Sequence, residues 1–191
     1  MPGAVRVPLP SNADLAALIR HRVFWDLFYL RRVAYAKLLY ELTMHGGPPE
    51  LLTEVPASAL SDVQSDTQGD VPSDIQGVYR RLFSRAYGFE LSQEESLRFR
   101  TDVDDFLLAA DSARAAMLAH RLHEELRHRF GPDWYGDARA GAMLKTVWGP
   151  GRRWTGEEIV RQLGDETLTF DAAFTRMNRL LEEATQLEKR H

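Results

Sequence analysis

The stretch TDVDDFLLAADSARAAMLAHRLHEELRHRFGP, residues 101–132, decides the fold. Val103, Phe106, Leu107, Ala110, Ala113, Met117, Leu118, Leu122 and Leu126 recur at steps of three and four, the period that puts side chains on one face of an α-helix. Thr101 or Asp102 is the expected cap. Asp102, Asp104 and Asp105 at the start, and Arg127, His128 and Arg129 at the end, suit the two poles of a helix macrodipole. Gly131-Pro132 ends the run, because glycine accepts the left-handed position after a helix and proline cannot continue one.

Upstream, Ser11 or Asn12 caps a second long helix reaching about His45, with an apolar stripe from Leu15 to Leu42. Phe24, Trp25, Phe28 and Tyr29 widen that stripe beyond one face, so this helix is expected to be covered on more than one side. Gly46-Gly47-Pro48-Pro49 stops it. Residues 46–77 then change character. They carry acidic residues, four prolines and a loose Ser-Asp-x-Gln repeat at Ser61, Ser65 and Ser73, and no lysine or arginine. That composition reads as a solvated loop or insert, and the oxygen-ligand spacing of an EF-hand is absent. Downstream, a short helix from Val78 ends at Tyr87-Gly88, and Ser92-Gln93-Glu94-Glu95 and Thr155-Gly156-Glu157-Glu158 are capping boxes. Another helix spans about Asp137 to Trp148, and Asp171 caps the last one. No segment alternates as a strand would. The expected fold is therefore all-α: a multi-helix bundle with two long helices, several shorter ones and no sheet. Its organisation is an N-terminal segment and helix over 1–45, the acidic insert over 46–77, and a bundle over 78–191 that packs with 12–45 as one domain.

The totals bound the function. At 191 residues the chain is long enough to bury roughly 70% of its unfolded surface without a metal or disulfide staple. A formal net charge of −4 argues against a nucleic-acid partner held by phosphate neutralisation. No cysteine is present, which excludes disulfides, thiol nucleophiles and cysteine-ligated zinc and fits the cytoplasm. No signal-peptide core and no membrane-spanning stretch are expected.

The densest chemical cluster is His120, His123, Glu124 and His128. It comes close to His-Glu-x-x-His, the zinc-peptidase motif in which histidines at i and i+4 share a helix face. Here the second histidine follows at i+5, about 140° further round the helix. His120, His123 and Glu124, at i, i+3 and i+4, remain a looser metal candidate against a plain solvated face. There is no Gly-x-Ser-x-Gly elbow and no phosphate-binding glycine loop. Gly149-Pro150-Gly151-Arg152-Arg153-Trp154 is a turn whose two arginines are placed to meet an anion or water. Asp102, Asp104 and Asp105 suit acid–base work only if drawn into a cleft, and capping is the commoner reason for them. Trp134 and Tyr135 look like packing anchors.

The order of Asp102-Val103-Asp104-Asp105-Phe106, a long helix, Arg129-Phe130-Gly131-Pro132-Asp133-Trp134-Tyr135, Ala140-Gly141-Ala142-Met143-Leu144, Trp148, a glycine turn and Glu157-Glu158-Ile159-Val160-Arg161-Gln162-Leu163-Gly164 resembles the C-terminal helical region of thimet-oligopeptidase/oligoendopeptidase-like zinc metallopeptidases. Tyr40-Glu41-Leu42-Thr43-Met44-His45-Gly46-Gly47 fits the preceding part of that region. The resemblance implies an α-helical lobe beside a peptide-binding channel. It also implies zinc held by His-Glu-x-x-His and a downstream glutamate, all lying before the part matched here, so zinc belongs only to a complete family member. The family's substrate-facing tyrosines would fall near Phe106 to Asp111, where none stands. The implied chain is thus a truncated or split relative, not catalytic alone. Asp105, Phe106 and Arg114 would face the channel, and peptide would be bound only with a metal-bearing partner. The alternative is a non-enzymatic helical interaction or dimerisation module using Phe24, Trp25, Phe28 and Tyr29.

Overall fold

The computed structural model describes residues 10–46 and 74–190. The expected acidic insert falls, from residue 47 to 73, outside the described residues. Every regular element among the described residues is helical, and the all-α bundle is what the chain forms.

The first long helix starts where the sequence indicates. Ser11 Oγ accepts from the Asp14 amide and the Asp14 carboxylate accepts from the Ser11 amide, both at 3.1 Å, so two otherwise orphaned donors are satisfied. The Ser11 hydroxyl, donating to the Asp14 carboxylate at 2.7 Å, and then the Ser11 amide lower the Asp14 pKa. The helix runs without a break through α1 (Asn12–Leu30), a π-helical segment (Arg31–Lys37) and α2 (Leu38–Met44). In the π segment the chain widens, and the Leu38 amide reaches back five residues to the Val33 carbonyl. Gly46, at φ 69°, follows the end of α2.

α3 (Ile75–Tyr87) begins three residues before Val78, because the Asp74 carboxylate accepts from the Gly77 amide at 2.9 Å. Gly88 ends it at φ 81°, a conformation glycine reaches without Cβ strain. α4 (Gln93–Ser96) uses the Ser92–Glu95 capping box. α5 (Leu108–Phe130) is the second long helix and stops at Gly131, φ 83°. α6 (Ala138–Trp148) is capped by Asp137, and α7 (Gly156–Gln162) by the Thr155–Glu158 box. α8 (Asp171–Lys189) departs slightly from expectation. Asp171 is its first residue, and the Thr169 hydroxyl accepts from the Asp171 amide at 3.3 Å.

Three apolar groups make the core. Ala36 and Tyr40 of the first helix meet Val78, Tyr79, Leu82, Phe83 and Ala86 of α3. Val23 and Leu30 of α1 meet Ala173 and Met177 of α8. Leu122 of α5, Val147 of α6 and Leu163 after α7 form the third. Ala36, inside the π segment, belongs to the first group and Leu30, just before the segment, to the second, so one continuous helix serves two neighbours.

Two sequence expectations are corrected. The second long helix does not begin at Thr101 or Asp102: α5 starts at Leu108, and residues 102–107 form a separate turn. Phe106 therefore leaves the apolar stripe and is 96% exposed. The supposed caps Asp102 and Asp104 are instead drawn sideways to a lysine on the first helix.

Candidate functional site

The chemistry-bearing residues gather where the π segment meets the turn before α5. Lys37 is buried, and its Nζ lies 3.1 Å from Asp102 Oδ1 and 2.9 Å from Asp104 Oδ1. Tyr79 Oη donates to Asp102 Oδ2 at 3.0 Å, and an Arg32 guanidinium nitrogen stands 3.5 Å from Asp102 Oδ1. Glu41, one turn beyond Lys37, is wholly buried. One of its oxygens accepts from the Asp104 amide at 2.8 Å, while Oε2 has no partner. Tyr40 Oη donates to the Phe99 carbonyl at 2.5 Å. Burial pushes the Tyr40 phenol up to about 12, assisted by the negative charges of Asp102 and Glu41. Burial raises Tyr79 as well, followed by the charge of Asp102 and the hydrogen bond to it. For Lys37 burial opposes the charge, but hydrogen bonds to Asp104 and Asp102 outweigh it and raise its pKa.

This cluster fixes residues 102–104 and leaves the chain a short distance in which to enter α5. Asp104 is extended, and then Phe106 (φ 58°, ψ 29°) and Leu107 (φ 55°, ψ 42°) both adopt the left-handed conformation. For residues with a Cβ that conformation costs about 1–2 kcal/mol each. Two in succession, neither of them glycine, mark a turn held by its surroundings. Its product is an aromatic ring held out in solvent. Asp105 and Phe106 on the turn, and Leu108, Asp111, Arg114 and Ala115 on α5, are all exposed. Arg114 forms an ion pair with Glu157 of α7.

His120, His123 and Glu124 lie elsewhere, between α5 and α8. His120 is buried with Nδ1 unpartnered. His123 Nδ1 is 3.4 Å from Glu124 Oε1, and its ring meets Trp134 edge-on at 5.8 Å. Arg179 donates to that same Glu124 oxygen at 2.6 Å. Burial, and then the positive charge of Arg176, lower both histidine pKa values. His128 is exposed, as the i+5 spacing requires. Among the described residues, no three His, Asp or Glu side chains come together as a metal set. Trp134 is half-buried. Tyr135, expected as a second anchor, is exposed and donates to Asp133 at 3.0 Å. In the glycine turn, Arg153 is exposed and Trp154 half-buried.

An aromatic surface lies on α1. Phe24, Phe28, Tyr87 and Phe89 stack in sequence with centroid spacings of 6.0, 5.2 and 5.5 Å. Trp25 meets Phe28 edge-on at 5.6 Å and donates from Nε1 to His21 Nε2 at 2.7 Å. The expected cover over this side of the helix is absent among the described residues: Phe24, Trp25, Tyr29 and Phe89 are all exposed.

Sequence reasoning missed Lys37, Glu41 and Arg32. Their one signal was placement, two opposite charges at i and i+4 inside the apolar run from Val33 to Leu42. Among the described residues no helix is long and apolar enough to cross a membrane. No family model matches the chain, and no curated protein and no solved structure matches it either.

Proposed function

We propose that this chain is a non-catalytic helical lobe that works by docking, a truncated or split relative of the C-terminal part of an oligopeptidase-type zinc metallopeptidase. The carrying observation is the strained turn that presents Phe106. The three channel positions Asp105, Phe106 and Arg114 are all exposed, as a lobe that closes against a metal-bearing partner requires. Lys37, Asp102, Asp104 and Glu41 supply the rigid base under that turn and are positioning residues. In this reading zinc and the general base come from the partner, and peptide is bound only between the two. A chain without cysteine suits the reducing cytoplasm, which is the proposed location.

The test has two arms. The purified chain, supplied with zinc and a quenched-fluorescent peptide, gives no cleavage above buffer, and chelator-sensitive cleavage would remove the reading. Co-expression with the product of the neighbouring gene, followed by zinc analysis, yields a complex with one zinc that cleaves the peptide. Phe106→Ser weakens that complex and leaves the helical circular dichroism of the chain unchanged.

A further inference from the structure

α1 is apolar on two opposite sides, and the described residues cover one of them. Val23 and Leu30 are buried against Ala173 and Met177 of α8. Trp25 lies two positions from Val23, about 200° around the helix, and points away from the core, while half-buried Phe28 stacks on Tyr87 at the edge of the first core group. Phe24 remains 56% exposed, Trp25 51% and Phe89 58%. Edge-on and stacked contacts join these rings to Phe28 and Tyr87 in one surface shared by α1 and the end of α3.

We propose that this aromatic surface is a self-association interface, occupied by the same surface of a second copy of the chain. Two observations select that occupant. The first is area. Aromatic side chains bury roughly 150–250 Å² each, so half-exposed rings at Phe24, Trp25, Tyr29 and Phe89, with exposed Leu18 beside them, offer on the order of 500 Å² of apolar surface. A standard interface takes about 800 Å² from each partner, of which about 60% is apolar, and the two quantities agree. The second is charge. Arg22 is held by Asp26 at 2.9 Å, Arg32 faces Asp102, Arg31 donates to the Arg85 carbonyl, and the Trp25 indole N–H is already given to His21. Among the described residues, Arg22 and Arg32 are thus matched by carboxylates and the aromatic centre carries no charge of its own, so it meets its own image without repulsion. A two-fold pair satisfies both conditions at once, because each patch contributes what the other needs.

Sedimentation of the full chain from low to high micromolar concentration tests this. The unsubstituted chain passes from monomer to dimer. Trp25→Glu and Phe24→Glu place a carboxylate in the contact and raise the dimer Kd at least about 30-fold, the loss expected when an aromatic hot spot is removed. Both side chains are half-exposed, so circular dichroism and the melting profile stay unchanged. Phe89→Glu, on the α3 side of the same surface, gives an independent reading should Trp25→Glu fail to fold. Phe106→Ser keeps the dimer, which separates this surface from the docking turn. A monomer at every concentration overturns the proposal, whether or not a different protein is found on the patch. A dimer that survives Trp25→Glu, Phe24→Glu and Phe89→Glu overturns it as well.

Discussion

Phe106 offers a substitution whose expected sign runs against habit. Replacing a phenylalanine with glycine normally removes packing and destabilises. Here the ring is 96% exposed, so almost no packing is lost, and the backbone decides the result. At φ 58° a residue with a Cβ costs about 1–2 kcal/mol that glycine avoids. Against this, glycine gains conformational freedom in the unfolded chain, worth about 0.5–1 kcal/mol. Phe106→Ala keeps the strain and is the control, expected within about 0.5 kcal/mol of the unsubstituted chain. Phe106→Gly should then exceed Phe106→Ala by about 0.5–1 kcal/mol, or about 1–4 °C in Tm for a chain of this size. Urea unfolding followed by circular dichroism, with thermal melts beside it, measures both. A glycine variant equal to or less stable than the alanine variant refutes the strained turn and the presentation of Phe106 built on it. Phe106→Asn, a side chain that tolerates the left-handed region, should fall between the two.

Lys37→Met removes the cation that Asp102 and Asp104 share and leaves two carboxylates in a partly buried site. Urea midpoints should show a loss of about 2–4 kcal/mol, and a loss below about 1 kcal/mol would mean that the turn is held by something else. Burial and Arg176 hold the folded-state pKa of His120 below its ordinary 6.5, so between that lowered value and 6.5 the unfolded chain binds more protons. Stability is therefore complete above about pH 7 and falls as pH drops through 6.5 toward the folded pKa. His123 adds to this in the same direction. His120→Gln should flatten the dependence between pH 7 and 5, and an unchanged slope would show that His120 is not the group responsible.

Local chemistry made much of the fold legible. Ser92–Glu95 and Thr155–Glu158 satisfy their own helix ends, and Gly88 and Gly131 take conformations that other residues avoid, so these boundaries needed no knowledge of the rest of the chain. The start of α5 was misread for the opposite reason. Asp102 and Asp104 are good helix caps by type, but Lys37, more than sixty positions away, gives them a stronger partner. A tertiary ion pair overrode a local preference, and the price was the left-handed pair that follows. The candidate site was accordingly half legible. Asp105, Phe106 and Arg114 were named only through the family resemblance, and the helical period put Phe106 in the apolar stripe. The buried charges beneath the turn became meaningful only once the first helix and the turn were side by side. The π segment left no signature: Arg31–Lys37 holds no glycine or proline, and the chain enters and leaves it at Leu30 and Leu38 with ordinary α-helical dihedral angles.

That segment also sets the way in which the first helix can change over time. Gain of a single residue within an α-helix is one route to a π turn, since the ladder then closes at five residues instead of four. Loss of one residue from Arg31 to Lys37 would let the ladder close at four residues with both flanks near their present phase, whereas loss of Leu38 or Leu39, just beyond it, would rotate everything that follows by about 100°. Tyr40 and Glu41 would swing away from α3 and from the Asp104 amide, while Val23 and Leu30 kept their places on α8. The segment works as a length buffer between two halves of the helix. A change of one residue is absorbed within it, while the α-helical stretches on either side keep their length to the residue.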